Sequence, residues 1–219
     1  MLRKGEIGST RAHMWDLPPP DPGFEITVAS RGMSKGIAQT VGVQAIPKAF
    51  VQLGQVQLGG QWKNVSSPAA DGEAAAFVNY TPKLGPFQLT LGAAYKFQTG
   101  VTGNPDADSF EFTGAVSRKF GRLGLRAAAI FSPDDLGGTR RSLYLEGGPS
   151  FDIDKTMRLS ANIGRRSRQG SPDYTSFNAG ISKSLWNKLT LDLRYYDTAQ
   201  GELGEIYGNR IVVSGRLAL

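Results

Sequence analysis

The chain has 219 residues, 40% of them hydrophobic, with 25 Lys and Arg against 19 Asp and Glu for a net charge of +6. No run approaches the ~18 consecutive apolar residues of a membrane-crossing helix, and the lack of cysteine excludes disulfides and thiol chemistry. The basic residues are spread along the chain rather than clustered with aromatics, so the footprint of a nucleic-acid-binding protein is missing and no nucleic-acid partner is expected.

Residues 1–23 are polar, carry Pro18, Pro19, Pro20 and Pro22, and lack the apolar core of a secretory signal. They read as a flexible leader preceding one structural unit, 24–219. From Phe24 onward, apolar and polar residues alternate with the period of two that a pleated strand imposes. Phe24, Ile26 and Val28 open the pattern, followed by the glycine loop 31–36. Val41, Val43, Ala45 and Pro47 begin a strand that runs on to Leu53, with a kink or bulge expected at Pro47 because proline has no amide hydrogen to give a ladder. A tight turn at Gly54 leads to Val56, Leu58, Gly60 and Trp62. A loop over 66–72 follows, then Ala74, Ala76, Val78 and Tyr80, and a turn at 82–86.

The next stretch is the clearest. Phe87, Leu89, Leu91, Ala93, Tyr95 and Phe97 face one way, and Gln88, Thr90, Gly92, Ala94, Lys96 and Gln98 the other. Aromatics at both ends with aliphatics between is the signature of a lipid-facing strand, and the length suits the roughly 9–11 residues of a tilted crossing. The same parity recurs in Phe110 to Val116, Leu123 to Phe131, Leu143 to Phe151, Met157 to Ile163, Phe177 to Ile181, Leu189 to Tyr195 and Ile211 to Leu219. About twelve strands result. Their connections alternate between long (32–40, 66–72, 99–108, 132–139, 167–173 and 197–208) and tight (at Gly54, Gly85, Gly121, Asp154 and Trp186). Short periplasmic turns and long external loops distinguish outer-membrane barrels, whereas a soluble sandwich has no reason to sort its loops. The expected fold is therefore all-β: a single antiparallel transmembrane β-barrel of about twelve strands.

Candidate chemistry is sparse. The single histidine, His13, lies in the leader, so a serine nucleophile would lack its commonest base. With no cysteine and one histidine, no zinc site is expected, and no cofactor. Asp106, Asp108, Asp134 and Asp135 read as solvated loop charges, with calcium binding the lesser alternative. Gly103-Asn104 and Gly137-Gly138 lack the phosphate-loop pattern and read as turns. Arg140, Arg141, Arg165, Arg166 and Arg168 read as a solvated rim, with lipopolysaccharide phosphates or anionic solutes as alternative partners.

The inward parity set is richer. It holds Lys63, Lys96, Lys119, Arg126, Arg158, Arg194 and Arg216 against Glu25, Glu73, Glu111, Glu146 and Asp192. Unpaired buried charge is costly, so this face implies either a wet lumen or an internal salt-bridge network. The residues expected to line a pore are Lys96, Glu111, Arg126, Glu146, Arg158, Asp192, Arg194 and Arg216.

Three short motifs carry a family resemblance. Arg31-Gly32-Met33-Ser34-Lys35 resembles the R-G-x-S stretch of the TorF family of outer-membrane porins. Gly60-Gln61-Trp62-Lys63-Asn64-Val65 is similar to that family's G-x-W-x-S-N-V, without its serine, and Tyr195-Tyr196-Asp197-Thr198 is similar too. The chain ends in Leu219, where such barrels usually end in an aromatic. The resemblance implies one antiparallel barrel passing small solutes. The sequence thus points to an outer-membrane porin in contact with membrane lipid and lipopolysaccharide, passing small polar solutes, anions included, through a charged lumen without covalent chemistry. Two rivals stay open: a closed structural or binding barrel working through its loops, and a soluble β-barrel.

Overall fold

The computed structural model describes residues 18–103 and 106–219, so His13 and most of the expected leader lie outside the described residues. Twelve long strands form the wall: β1 (Asp21–Ala29), β2 (Gln44–Leu53), β3 (Val56–Ser67), β4 (Ala70–Tyr80), β5 (Phe87–Thr99), β6 (Asp108–Phe120), β7 (Leu123–Ser132), β8 (Ser142–Asp152), β9 (Met157–Arg168), β10 (Tyr174–Leu185), β11 (Leu189–Asp197) and β12 (Arg210–Ala218). Every neighbouring pair is antiparallel, and β12 returns to β1 through the register Glu25↔Ala218 to Ala29↔Ser214, so the sheet closes into a barrel. Closure removes the exposed edges that an open sheet must manage.

The outward face is the one the alternation picked out. Phe87, Leu91, Tyr95, Phe97, Phe110, Phe112, Leu125, Leu145, Ile163, Leu193 and Ile211 are all exposed. Aromatics gather at two heights. Tyr80, Phe87, Phe120 and Phe151 sit by the short turns, while Trp62, Tyr95, Phe110, Phe131, Phe177 and Tyr195 sit by the long loops. Tyr95 packs on Phe110 with ring centroids 5.0 Å apart. Two aromatic girdles flanking an aliphatic band match the two interfaces of a bilayer. No helix among the described residues is long and apolar enough to cross a membrane.

Three details differ from the sequence expectation. The first strand starts at Asp21 rather than Phe24, because Asp21, Pro22 and Gly23 pair with Gln52, Val51 and Phe50. The expected loop over 66–72 is only a two-residue turn, since β3 runs to Ser67 and β4 starts at Ala70. Polar residues there do not mark a loop, because a strand projecting past the bilayer no longer needs an apolar face. Third, the residues around Val41 and Val43 belong to the connection before β2. Pro47 does end a ladder: β2 pairs with β3 only from Lys48 onward. Beyond it the Asn64 side chain replaces the missing rungs, accepting from the Ala45 amide at 2.8 Å and donating to the Val43 carbonyl at 2.9 Å.

Candidate functional site

The first long connection, 30–43, turns into the barrel. Its centre is a small hairpin in which Met33–Ser34 pairs with Ile37–Ala38. Gly36, at φ +86, makes the tip possible twice over: the left-handed backbone favours glycine, and a Cβ would collide with Ser176 on β10. The tip reaches both walls. Lys35 pairs with Glu111 of β6, and Tyr174 of β10 donates to the Lys35 carbonyl at 2.8 Å.

Glu111 is one link in a chain of buried charge. Lys63 on β3 meets Glu73 on β4 at 3.0 Å, Glu73 meets Lys96 on β5 at 3.5 Å, and Lys96 meets Glu111 at 3.1 Å. Alternating signs on four consecutive strands let each charge lie beside an opposite one, which is the condition for burying ions at all. The sequence rule that a buried charge must be paired is met here by the network. Above it, Asp135 leaves the loop 133–141 to pair with Arg166 and to accept from the Ser142 hydroxyl at 2.6 Å. The expectation of a solvated loop charge is therefore wrong for Asp135, which is buried. Burial alone would raise its carboxyl, but Lys35, the Ser142 hydroxyl and Arg166 outweigh burial and hold it at about 2. Burial pulls the Lys35 ammonium of the hairpin tip down to about 8.

The other long loops cover the hairpin. Ile37, Tyr174 and Tyr207 form a buried apolar cluster, the two tyrosine rings meeting edge-on at 5.4 Å. Arg168 caps it, lying over the Tyr174 ring and donating to the Tyr207 hydroxyl at 2.7 Å. Thus Arg166 and Arg168 are not a solvated rim, whereas Arg140, Arg141 and Arg165 are exposed. The three resemblance motifs converge on this assembly. Arg31 ties the loop to the Val41 carbonyl at 2.6 Å and to Glu205 at 3.3 Å. Lys63 donates to Gln39 at 2.8 Å, and Thr198 to the Tyr207 carbonyl at 2.6 Å.

Below the hairpin the lumen opens. A cavity of about 240 Å³ lies directly under it, lined by Ser34, Glu146, Ser160, Asn162, Asn178, Arg194 and Tyr196. Arg194 is held there by Asp192 at 3.0 Å, Asn178 at 2.9 Å and Ser160 at 2.9 Å, and Glu146 by Arg126 at 3.2 Å. A larger vestibule of about 730 Å³ lies on the short-turn side, with Lys119, Arg122, Lys155, Arg158 and Arg216 against Asp152 and Asp154. Asp152 pairs with both Lys119 and Arg158 at 2.6 Å, and Glu25 with Arg216 at 4.0 Å. The side chains of Lys119, Arg126, Arg158 and Arg216 keep between 49% and 60% of their surface exposed, against 5% for Glu73.

The eight expected pore residues therefore fall into separate places. Lys96 and Glu111 lie mostly buried beside the hairpin, Lys96 at the edge of a cavity of about 280 Å³ on the long-loop side, Glu146 and Arg194 line the middle cavity with their partners Arg126 and Asp192 beside them, and Arg158 and Arg216 line the vestibule. Sequence reasoning missed Lys35, Asp152 and Tyr174. Only Lys35 carried a usable signal, a lone cation at the tip of a glycine loop. It also missed Phe50 and Phe77, which turn inward and meet over Gly59, where a Cβ would overlap both, with Lys48 Nζ 4.8 Å from the Phe50 ring centre.

A family model described as "Bacterial protein of unknown function (Gcw_chp)" matches residues 24–216. No curated protein matches the chain. Among solved structures it is similar to the NanC porin (13% identity, TM-score 0.59, covering 89% of this chain and 97% of that one). It is also similar to the KdgM porin in complex with disordered oligogalacturonate (10% identity, TM-score 0.61, 89% and 98% covered). A third is an outer-membrane channel from Pseudomonas putida F1 (12% identity, TM-score 0.55, 98% and 99% covered).

Proposed function

The chain belongs to this family of bacterial proteins of unknown function, and from that footing we propose that it is an outer-membrane channel through which small polar solutes diffuse. The half-exposed arginines and lysine inside the barrel carry the proposal. A barrel packed solid would bury such groups or replace them with apolar ones, since an ion stripped of water without full compensation is costly. Arg126, Arg158, Arg216 and Lys119 instead keep water on one side and a carboxylate on the other. The apolar outer band with its two girdles supports a membrane setting, and the likeness of the fold to porins agrees with it. So does the resemblance to TorF porins.

The vestibule holds five basic and two acidic side chains, so its field favours anions on the short-turn side. Around the middle cavity Arg126 pairs with Glu146 and Arg194 with Asp192, and the remaining lining is rich in amides and hydroxyls. This section suits polar solutes of either charge. The hairpin sets the size limit. Transport is diffusion, without covalent chemistry or a cofactor.

A second reading is favoured by the same hairpin. Its contacts with Glu111, Tyr174 and Ser176 span the lumen and suit a barrel that stays shut, with its loops as the working surface. Single-channel recording in a planar bilayer with a salt gradient separates the two. Discrete steps whose reversal potential favours the anion support a porin. Inserted protein without conductance would defeat the channel reading in favour of the closed barrel.

A further inference from the structure

Most of the basic residues inside the barrel lie beside a carboxylate, whereas Arg118 on the outer wall has no carboxylate partner among the described residues. Arg118 lies on the outward parity of β6, one outward position in from Phe120 and so just inside the aromatic girdle on the short-turn side. Its guanidinium carbon lies 4.4 Å from the Phe120 ring centre and 5.3 Å from that of Phe87, its register partner on β5. Two rings hold the cation by their π-faces, yet neither accepts a hydrogen bond from its N–H groups. Arg118 Nε is enclosed without a hydrogen-bond partner, and no carboxylate pairs with the guanidinium among the described residues.

A charge on the lipid face is normally selected against unless something there answers it. The surroundings say what does. An open groove of about 360 Å³ on the outer wall is lined by Phe87, Arg118, Leu125 and Pro149 in one register row and by Val116 and Ala127 one outward position further in, with the inward-parity Arg126 behind it. The row further in, Val116 and Ala127, is small and apolar, and the groove's cation on the outward parity stands beside the girdle residues Phe87 and Phe120. That polarity is the polarity of a membrane lipid, with an anionic head at the girdle and a hydrocarbon tail toward the midplane. Arg is also the side chain whose planar fork matches phosphate.

We propose that Arg118 and this groove form a binding site for a glycerophospholipid of the leaflet on the short-turn side. The phosphodiester accepts hydrogen bonds from the guanidinium between Phe87 and Phe120, and one acyl chain lies against Val116, Leu125 and Ala127. The site rests on the membrane setting of the barrel but not on its being a channel, because Arg118 faces away from the lumen.

Native mass spectrometry of the full chain in detergent, titrated with dioleoyl phosphatidylglycerol, tests it. One lipid should stay bound to the wild type. Arg118→Gln should weaken retention by about tenfold or more, Arg118→Lys by less, and Ala127→Phe, which fills the groove while keeping the cation, should also displace the lipid. Dioleoylglycerol, which has the same chains without phosphate, should not be retained. Heat-modifiable migration on gels reports folding of each variant, and bilayer conductance should be unchanged in Arg118→Gln. Equal lipid retention by wild type and Arg118→Gln, or equal retention of dioleoylglycerol, would overturn the proposal. So would a dimer that Arg118→Gln dissociates, which would make a second copy of the chain the occupant. A barrel that binds the lipid but shows no conductance would refute the channel and leave this site standing.

Discussion

The hairpin is held in the lumen by contacts that can be removed one at a time, and their partners make the removals unequal. Changing Lys35 to Met deletes one charge-assisted bond, but Glu111 keeps Lys96 at 3.1 Å. The loss is therefore near that of a hydrogen bond to a charged group, about 2 kcal/mol. Changing Glu111 to Gln is worse. Lys96 retains Glu73 at 3.5 Å, but Lys35 is left in the lumen without its carboxylate. An orphaned buried charge costs about 3 kcal/mol or more. If these energies hold the hairpin against its released form, the released population rises roughly 30-fold in the first variant and over 100-fold in the second. The double variant should cost less than the sum, because the two residues share one contact. Single-channel recording at fixed voltage reads the outcome as longer or larger openings in the order wild type, Lys35→Met, Glu111→Gln. Identical step size and open fraction in all three, with each barrel shown to be folded by gel migration, would refute the latch.

Gly36→Ala should act in the same direction, since the added Cβ meets Ser176 and the φ of +86 is left-handed; pairing it with Ser176→Gly should restore only part of the closed behaviour, because the backbone strain remains. The Asp135 anchor should fail in acid. Its carboxyl is held at about 2 against an ordinary 3.8, so its contribution is complete above the ordinary value and disappears as pH falls through the window between them. Limited proteolysis of the loop 133–141 should become faster across that window in the wild type, and Asp135→Asn should be cleaved quickly at every pH. Replacing Arg158 and Arg216 by Gln removes two of the five vestibule bases, which should move the reversal potential toward cation preference, while Asp152→Asn should move it the other way.

The charge network shows how far a one-dimensional reading reaches. That Lys63, Glu73, Lys96 and Glu111 share a face follows from parity alone, and so does the need to pair them. Which pairs form depends on register, and the register Lys63↔Glu73 or Gln98↔Glu73 is a property of strand closure rather than of any one strand. Asp135 and Arg166 were read as separate solvated charges because nothing local announces a contact between residues 31 apart.

What the sequence determined by itself was the wall: twelve strands, their inward and outward faces, the sorting of long loops from tight turns at every connection except 66–72, and the aromatic girdles. All of these follow from a two-residue period and local turn chemistry, which act over a few residues. Only the tertiary structure decided that the first loop enters the barrel. Lys35 meets Glu111 76 residues away and Tyr174 139 residues away, and those distances are closed by the ring of strands. The barrel must exist before its interior can be filled, so the filling is written in contacts across the lumen and not in the period of the chain.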